Sequence, residues 1–159
     1  MKKNFKRRDF IKKAGVAAAA ATAVSSFPAP AIAADRLEVN CVGTWPRDYP
    51  GLGAGGQAVS QRISDLSDGR IVVNHFSGGE RVGALDVFTE VSSGNAQMYD
   101  SADYYWVGQH PGWGFFAAVP FGMIATEING WIRHGGGQEL WDELGDEFGL
   151  KNFMAGNSG

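Results

Sequence analysis

Three glycines, Gly51, Gly53 and Gly56, have the G-x-G-x-x-G spacing of a dinucleotide-binding loop and stand between a strand-like and a helix-like run. In such loops the first glycine directly follows the strand, because the tight turn must aim the helix N-terminus at the pyrophosphate. Here residues 45–50, with two prolines, come between, and no acidic residue ends the next strand to hold a ribose. The spacing therefore favours a flexible turn into a helix, whose free amides could still attract an anionic group.

Side chains that support metal or nucleophilic chemistry are scattered. His75, His110 and His134 are far apart and show neither H-E-x-x-H spacing nor the paired cysteines of a zinc site. No serine occupies a G-x-S-x-G elbow, and the single cysteine, Cys41, lies in an apolar run typical of a buried thiol. The sequence thus offers no catalytic residue and no metal ligand, and we expect structural or surface roles for these side chains.

The aromatic residues between 102 and 116 are better suited to binding a small molecule. Tyr104 and Tyr105 directly follow a predicted strand, and each combines an apolar ring with a hydroxyl group. Small-ligand pockets have mostly apolar walls with a few convergent polar groups. Trp45, just past the first predicted strand, is a further candidate for such a wall. For the other aromatic residues of this stretch we expect packing in the core: Trp113, Phe115 and Phe116.

Strand-like and helix-like segments alternate along the chain, which predicts an α/β fold with helices on both faces of a sheet. Because ligands bind outside the carboxyl ends of the strands in such sheets, the loops that follow the strands are the candidate site. These loops are residues 45–56, 77–83, 101–106 and the segment from Asn157 onward. Strands are predicted at residues 36–44, 71–76, 97–102 and 150–155, with a further apolar run at 115–119 that Pro120 ends.

Helices are predicted from apolar residues that recur at helical spacing. Thr126 is the predicted N-cap of the third helix, and Gly149 is the predicted stop of the fourth. The apolar positions are Val59, Ile63 and Leu66 in the first helix; Leu85, Phe88 and Val91 in the second; Ile128, Trp131 and Ile132 in the third; and Leu140, Trp141, Leu144 and Phe148 in the fourth.

Residues 1–33 have the composition of an export signal. A basic segment precedes a short alanine-rich run and an A-x-A cleavage site at residues 31–33. Arg7 and Arg8, followed by Phe10, resemble the twin-arginine signal. Residues 34–159 carry seven basic and 16 acidic residues, a formal net charge of −9. Such an acidic protein is a poor partner for nucleic acid or an anionic membrane.

Four ordered segments resemble the solute-binding subunits of TRAP transporters, the DctP-like family. They read WPRDYPGLGAGGQ, SGGERVGALDVFTEVSSGNAQMYDSADYYW, FFAAVPFGM and GGGQELWDEL, and the likeness extends from about Trp45 to the last residue. The branch that they resemble most binds 2-oxo acids and related small monocarboxylates. The resemblance implies a two-lobed, periplasmic-binding-protein-like (venus flytrap) α/β fold. It also implies a periplasmic protein that captures an organic acid and delivers it, unchanged, to an ion-gradient-driven membrane permease.

The resemblance implies a clamp between an arginine and the ligand carboxylate, often with Na⁺ or Ca²⁺ beside the acid. In the family the clamp arginine and the cation ligands come after the segment that matches AGNSG. We therefore expect residues 1–33 to be a signal peptide and residues 34–159 to be the N-terminal part of the binding domain, mainly its first lobe. Such a chain is expected to bind ligand poorly by itself. The resemblance implies that Tyr104 and Tyr105 bind the ligand, because they stand in a segment that matches the family's motif. For Trp45 and Asn157 it implies the same role from their positions in the chain only.

Two other classes of function stay open, as do the identity of the acid, the identity of the cation and the presence of a homodimer. A twin-arginine-exported enzyme with a bound cofactor would contain a metal or a chromophore, which the scattered His and Cys residues disfavour. A nucleotide-binding module would need the glycine loop to contact phosphate, so Gly53→Ala would abolish its binding.

Overall fold

The computed structural model describes residues 36–156. The predicted signal peptide and Asn157 lie outside these residues. The strands are β1 (Leu37–Gly43), β2 (Ile71–Phe76) and β3 (Met98–Asp100). The α-helices are α1 (Leu52–Leu66), α2 (Val87–Ser92), α3 (Ala125–His134) and α4 (Gly137–Asp146). The first 3₁₀ helix is Asp103–Trp106 and the second is Pro111–Phe116. None of the four described α-helices has the length and apolar content needed to cross a bilayer.

The three described strands form a parallel sheet in the order β2-β1-β3, which confirms the predicted α/β class. Parallel neighbours need a crossover connection, and α1 and α2 supply the two crossovers. The pairing of Val42 with Phe76 and of Gly43 with Asp100 brings the carboxyl ends of all three strands to one edge. The loops that were predicted to form a site therefore start from a common edge of the sheet.

Helix α1 packs through small residues and not through the apolar residues from which the helix was predicted, Val59, Ile63 and Leu66. Its buried residues are Gly53, Gly56 and Ser60, whereas Leu66 is 80% exposed. A Cβ atom at Gly56 would overlap the carboxylate of Asp100, so the missing side chain permits the close approach of helix and strand. The helix begins at Leu52, well before Val59, the first of its predicted apolar positions, which places Gly53 and Gly56 inside it.

The core beside the sheet is built from aromatic rings. Phe88 of α2 lies 5.2 Å from Trp106, 5.7 Å from Trp113 and 5.3 Å from Phe148, measured between ring centroids. The predicted core position of Trp113 is confirmed, because its side chain is fully buried. These contacts join α2, both 3₁₀ helices and the turn after α4 in one cluster.

A second aromatic stack fixes the end of the second 3₁₀ helix to α3 and α4. Phe116 stacks on Trp131 at 5.7 Å and on Trp141 at 5.4 Å, with interplanar angles of 16° and 6°. The predicted core packing of Phe116 is thus confirmed. That of Phe115 is wrong, since its side chain points outward and is 60% exposed. Consecutive residues of a tight helix point in different directions, so only one of the two rings reaches the stack.

The strand predicted at residues 150–155 does not form, and neither does the apolar run at residues 115–119 become one. Residues 115–119 continue the second 3₁₀ helix into an irregular loop, and residues 150–156 have no regular structure. The second segment is bonded to α4 through side chains: Asn152 Nδ2 donates to the carbonyl of Trp141 at 3.2 Å, and Gln138 Nε2 donates to the carbonyl of Asn152 at 2.9 Å. The carbonyl of Asn152, which a strand ladder could use, thus accepts from a side chain of α4.

The ends of α3 and α4 differ from the predicted ones. Helix α3 starts one residue before Thr126, with Ile124 at the N-cap position. The Glu127 carboxylate accepts a hydrogen bond from the Ile124 amide at 3.0 Å, which is one half of a capping box, and Thr126 lies inside the helix. Helix α4 ends at Asp146, so Phe148 lies beyond it, and Gly149 has the predicted left-handed backbone, with φ of 68°.

Candidate ligand-binding site

Tyr104 and Tyr105 lie on the first 3₁₀ helix, just beyond the carboxyl end of β3. Their side chains are 40% and 38% exposed, their ring centroids are 4.6 Å apart, and their hydroxyl oxygens are 3.5 Å apart. The hydrogen bond from Tyr104 to Tyr105, followed by partial burial, raises the pKa of the Tyr104 phenol. A phenol is protonated at neutral pH even at its ordinary pKa of about 10, so both hydroxyl groups carry a proton there.

The tyrosine pair stands between two buried residues that anchor its helix. Trp106 is buried in the aromatic cluster, with its ring 6.2 Å from that of Tyr105. Asp103, the first residue of the helix, is 6% exposed. The exposed phenols are therefore mounted on a segment whose two ends are fixed in the core.

Trp45 is half-buried in the loop after β1. Its carbonyl accepts a hydrogen bond from the Gly78 amide at 2.8 Å, which ties this loop to the loop after β2. A Cβ atom at Gly78 would overlap the Thr44 carbonyl, so this contact requires glycine. Trp45 shares the carboxyl edge with the tyrosines, but the described residues show no ring contact between them. Asn157, the fourth predicted binding residue, lies outside the described residues.

An ion pair that the sequence analysis missed crosses the same two loops. Arg47 donates from Nε and Nη2 to the two carboxylate oxygens of Glu80 at 2.7 and 2.5 Å, and from Nη1 to Gln57 of α1 at 3.3 Å. The hydrogen bond from Arg47, together with one from the Ser77 amide, lowers the pKa of Glu80. No local spacing rule could find this pair, because its members belong to different loops.

The ends of β1 and β3 are joined by polar contacts. Thr44 Oγ1 donates to Ser101 Oγ at 2.7 Å, and the Thr44 amide donates to the Asp100 carbonyl at 2.9 Å. The carboxylate of Asp100 packs against Gly56 of α1, and burial raises the pKa of Asp100 to about 6. The edge thus contains a carboxyl group that titrates near neutral pH, which composition alone could not reveal.

The histidines and the cysteine take local roles. His75 Nδ1 lies 3.1 Å from Ser60 Oγ, and its pKa is lowered, first by burial and then by Arg47. His110 Nδ1 accepts from the Gly112 amide at 3.1 Å at the start of the second 3₁₀ helix. Burial raises the pKa of Cys41 to about 11, so this thiol is the inert one that was predicted. His134 is exposed in the last turn of α3.

Within residues 36–156, the glycines considered for nucleotide binding and the histidines and cysteine considered for metal binding form no such site. Gly53 and Gly56 lie buried in α1, where their missing side chains accommodate Pro46 and Asp100. Within residues 36–156 no three His, Cys, Asp or Glu side chains are grouped so as to hold a metal ion. The glycine pattern therefore serves packing between helix and sheet.

An apolar groove of about 540 Å³ lies between the second 3₁₀ helix, the loop after it, α3 and α4. Its walls are almost wholly apolar and include neither tyrosine, so it has few groups that could hold a carboxylate. The principal lining side chains are Phe115, Phe116, Val119, Met123, Trp131 and Leu140.

Residues 42–159 match the family described as "Bacterial extracellular solute-binding protein, family 7", or DctP. A monocarboxylate 2-oxoacid-binding periplasmic protein of Nostoc sp. is 31% identical over 116 residues, which are 73% of this chain and 32% of that protein.

Two similar solved structures are TRAP periplasmic solute-binding proteins, and they place the α/β fold among such proteins. The protein from Colwellia psychrerythraea, with bound calcium and pyruvate, is 35% identical with a TM-score of 0.72. The protein from Pseudoalteromonas atlantica, with bound sodium and pyruvate, is 36% identical with a TM-score of 0.72. In both cases 74% of this chain and 36% of the other are covered. The chain thus spans about a third of the length of the relatives it matches.

Proposed function

Because the chain belongs to family 7 of the bacterial extracellular solute-binding proteins, we propose that it is the periplasmic ligand-capturing component of a TRAP transporter. Its ligand in this proposal is a 2-oxo acid or a related small monocarboxylate, which it passes unchanged to an ion-gradient-driven membrane permease. The observation that carries the proposal is the pair of half-exposed phenols at the carboxyl edge of the sheet. It is supported by about 35% identity to two pyruvate-bound proteins.

Capture of an anion by this acidic chain requires local donors. In our proposal the hydroxyl groups of Tyr104 and Tyr105 donate to oxygens of the ligand, and their rings pack against its apolar part. Trp45 forms a further wall of the same pocket, and the side-chain amide of Asn157 adds a polar contact. The net charge of −9 for residues 34–159 opposes any anion at long range, so these short-range contacts must outweigh it.

The arginine and the cation of the expected carboxylate clamp are not assigned to described residues. Arg47 has its guanidinium paired with Glu80 and Gln57. A sodium or calcium ion prefers several oxygen ligands, and residues 36–156 contain no cluster of acidic or histidine side chains that fits one. Residues 34–159 are accordingly proposed to form mainly the first lobe of the binding domain, behind a signal peptide at residues 1–33. A homodimer stays a prediction.

The family consists of binding proteins rather than enzymes, and nothing in the sequence or the fold favours the exported-enzyme alternative. The direct test is the thermal unfolding of the intact protein, in the form the cell produces, with pyruvate, lactate and longer 2-oxo acids. We expect at least one of these acids to raise the melting temperature, because binding only the native state stabilises it. The absence of any shift with all of them would overturn the proposal.

A further inference from the structure

The first residues beyond β1 and β3, Thr44 and Ser101, are neighbours at the carboxyl edge of the sheet, and each carries a hydroxyl group. The Thr44 amide donates to the Asp100 carbonyl at 2.9 Å, which continues the parallel pairing beyond the last residues of the two strands. Thr44 Oγ1 donates to Ser101 Oγ at 2.7 Å. These two side chains, the hydroxyl pair, are therefore held together where the candidate loops begin.

The alternation of side chains along a strand determines the face of the sheet on which the hydroxyl pair lies. Val42, two residues before Thr44, belongs to the aromatic core, and Tyr99, two residues before Ser101, packs against that core. The Tyr99 ring is 6.4 Å from the ring of Trp106 on the first 3₁₀ helix. The hydroxyl pair thus lies on the face of the sheet that carries this helix.

The tyrosine pair is mounted on the same helix, so Ser101 shares both a face and an edge of the sheet with Tyr104 and Tyr105. Asp100, one residue before Ser101, points to the opposite face, where its carboxylate packs against Gly56 of α1. The sheet therefore separates the hydroxyl pair from the carboxylate of Asp100.

The hydroxyl pair retains one proton that no described residue accepts. Each hydroxyl group has one proton to donate. Thr44 uses its own on Ser101, and among residues 36–156 the Ser101 hydroxyl donates to no protein acceptor. Thr44 is 8% exposed whereas Ser101 is half-buried, so the unused proton belongs to the member that a ligand can reach. A hydroxyl group that accepts one hydrogen bond donates the next one more strongly.

We propose that Ser101 is a ligand-binding residue, whose hydroxyl group donates to the carboxylate of the captured acid beside the tyrosine pair and is polarised by Thr44. This role rests on the proposed function. A carboxylate accepts hydrogen bonds and has none to donate, so its arrival fixes the order of donation from Thr44 to Ser101 to the ligand. The bond to the ligand is charge-assisted and therefore stronger than a bond between neutral groups.

The alternative is that the hydroxyl pair only ties the end of β1 to the end of β3. In that case Ser101→Ala and Thr44→Val remove the same hydrogen bond, and both should change the affinity for the ligand to the same extent. In our proposal Ser101→Ala also removes the donor to the ligand, whereas Thr44→Val leaves that donor in place and only weakens it. Unequal losses of affinity therefore distinguish the two roles.

The first experiment measures pyruvate affinity by calorimetry for the intact wild-type protein and for Ser101→Ala, Thr44→Val and Thr44→Ser. Ser101→Ala should weaken binding by about tenfold, the effect of one hydrogen bond to a charged group. Thr44→Val should weaken it by roughly two- to threefold, because only the polarisation of Ser101 is lost. Thr44→Ser keeps the hydroxyl group and should bind like the wild type. Equal losses in Ser101→Ala and Thr44→Val, or no loss in Ser101→Ala, would overturn the proposal.

Ser64→Ala is the matched control for a broken tie between elements. Ser64 is also half-buried, and its hydroxyl group accepts from the Val73 amide at 3.0 Å and so joins α1 to β2. We expect Ser64→Ala to lower the melting temperature and to leave pyruvate affinity unchanged. A loss of affinity as large as that of Ser101→Ala would show that any broken tie disturbs binding, and the proposal would be wrong.

The same measurements separate this proposal from the proposed function. If the wild type bound none of the 2-oxo acids, the proposed function would fail and the role of Ser101 with it. If the wild type bound pyruvate and Ser101→Ala bound it equally well, the proposed function would stand and Ser101 alone would be excluded from the site.

The second experiment identifies the ligand atoms that Ser101 contacts. Infrared difference spectra are recorded for bound pyruvate that is isotopically labelled at its carboxylate carbon. The carboxylate stretching band should shift in Ser101→Ala, which has lost one donor, and should stay in place in Ser64→Ala. If Ser101→Ala does not fold, Ser101→Cys replaces the hydroxyl group by a thiol, which is a weak donor, and should give the same shift together with weaker binding. A band at the wild-type position in the Ser101 variant would overturn the proposal.

Discussion

At the scale of single residues, the binding chemistry that the chain offers is hydrogen-bond donation by Tyr104 and Tyr105. The backbone that carries the two rings lies between the buried residues Asp103 and Trp106, so little conformational freedom of the backbone is lost on binding. A hydroxyl that donates to a carboxylate makes a charge-assisted bond, which is stronger than a bond between neutral groups. The pair should therefore contribute measurably to affinity even though both rings are partly exposed.

The first prediction removes these hydroxyls. Tyr104→Phe and Tyr105→Phe should each weaken pyruvate binding by about tenfold, and the double variant by more, because a hydrogen bond to a charged group is lost. Calorimetry on the intact protein measures this loss. Tyr49→Phe is the matched control, since Tyr49 is also exposed but lies in the loop after β1. Equal affinities of all four variants and the wild type would remove the tyrosines from the site.

The second prediction concerns the stability contribution of Asp100. Its pKa of about 6 in the folded protein exceeds the value of 3.8 for an unperturbed aspartate. The folded state thus binds more protons than the unfolded state between pH 4 and 6, and stability falls as the pH rises through this range. Asp100→Asn should be more stable than the wild type by about 3 kcal/mol at pH 8 and no more stable near pH 3. Urea unfolding at several pH values tests this, and equal stabilities at pH 8 would contradict it.

The sequence could predict which aromatic residues follow a strand, but not which acidic residues are buried. Tyr104 and Tyr105 were identified because both the strand before them and their chemistry are local properties. Asp103 is 6% exposed, and the indole N–H that lowers its pKa belongs to Trp141, which lies on a helix much later in the chain. Long-range packing of this kind leaves no pattern in the residues around Asp103.

At the scale of elements, the fit of α1 against the sheet depends on glycine. Because a Cβ atom at Gly56 would overlap the Asp100 carboxylate, no side chain can be added there unless the Asp100 side chain, the helix or the strand moves. Gly55, its neighbour in the sequence, has no atom within 4 Å of the position that a Cβ would occupy. The two glycines therefore offer a matched pair of sites with the same helix propensity and different packing.

The third prediction uses this pair. Gly56→Ala should destabilise the protein by about 1–3 kcal/mol, because overpacking outweighs the gain in helix propensity. Gly55→Ala should stabilise it by about 0.5–1 kcal/mol through propensity alone. Denaturant unfolding of both variants gives the two values. A stabilising effect at Gly56 would mean that the Asp100 side chain can move aside freely.

Elements that form through local patterns were predicted well, and those that depend on partners were not. The bounds of β2 agree with residues 71–76, and the parallel sheet follows from the alternation of strands and helices. The buried face of α1 was missed because hydrophobic spacing identifies a helix, whereas small residues determined how it docks. The strand expected at residues 150–155 does not form, and the carbonyl of Asn152 accepts from the Gln138 side chain of α4 instead of from a neighbouring strand.

At the scale of the whole molecule, the groove at Phe115, Phe116 and Met123 leaves a continuous apolar surface. Beside it, Phe121 is fully exposed and has a left-handed backbone, with φ of 61°, which a bulky residue seldom adopts. Exposed apolar patches of this kind bind hydrophobic dyes and promote association.

The fourth prediction follows from this surface. The protein should enhance the fluorescence of the dye ANS, and Phe121→Ser should reduce that enhancement by about twofold because it removes a fully exposed apolar ring. Size-exclusion chromatography of the same variant should show less self-association. Leu66→Ser, which removes an exposed apolar side chain on α1, is the control. Identical dye binding by both variants and the wild type would place the dye elsewhere.

The buried, protonated thiol of Cys41 makes the molecule well suited to optical sensing. Since this is the chain's one cysteine and its pKa is about 11, maleimide dyes should leave the folded protein unlabelled at pH 7. A cysteine introduced at the exposed Val107, two residues past the tyrosine pair, would then be the sole attachment point for a fluorophore. Such a conjugate would report the arrival of a solute as a change in brightness, with no need to remove a native reactive group first.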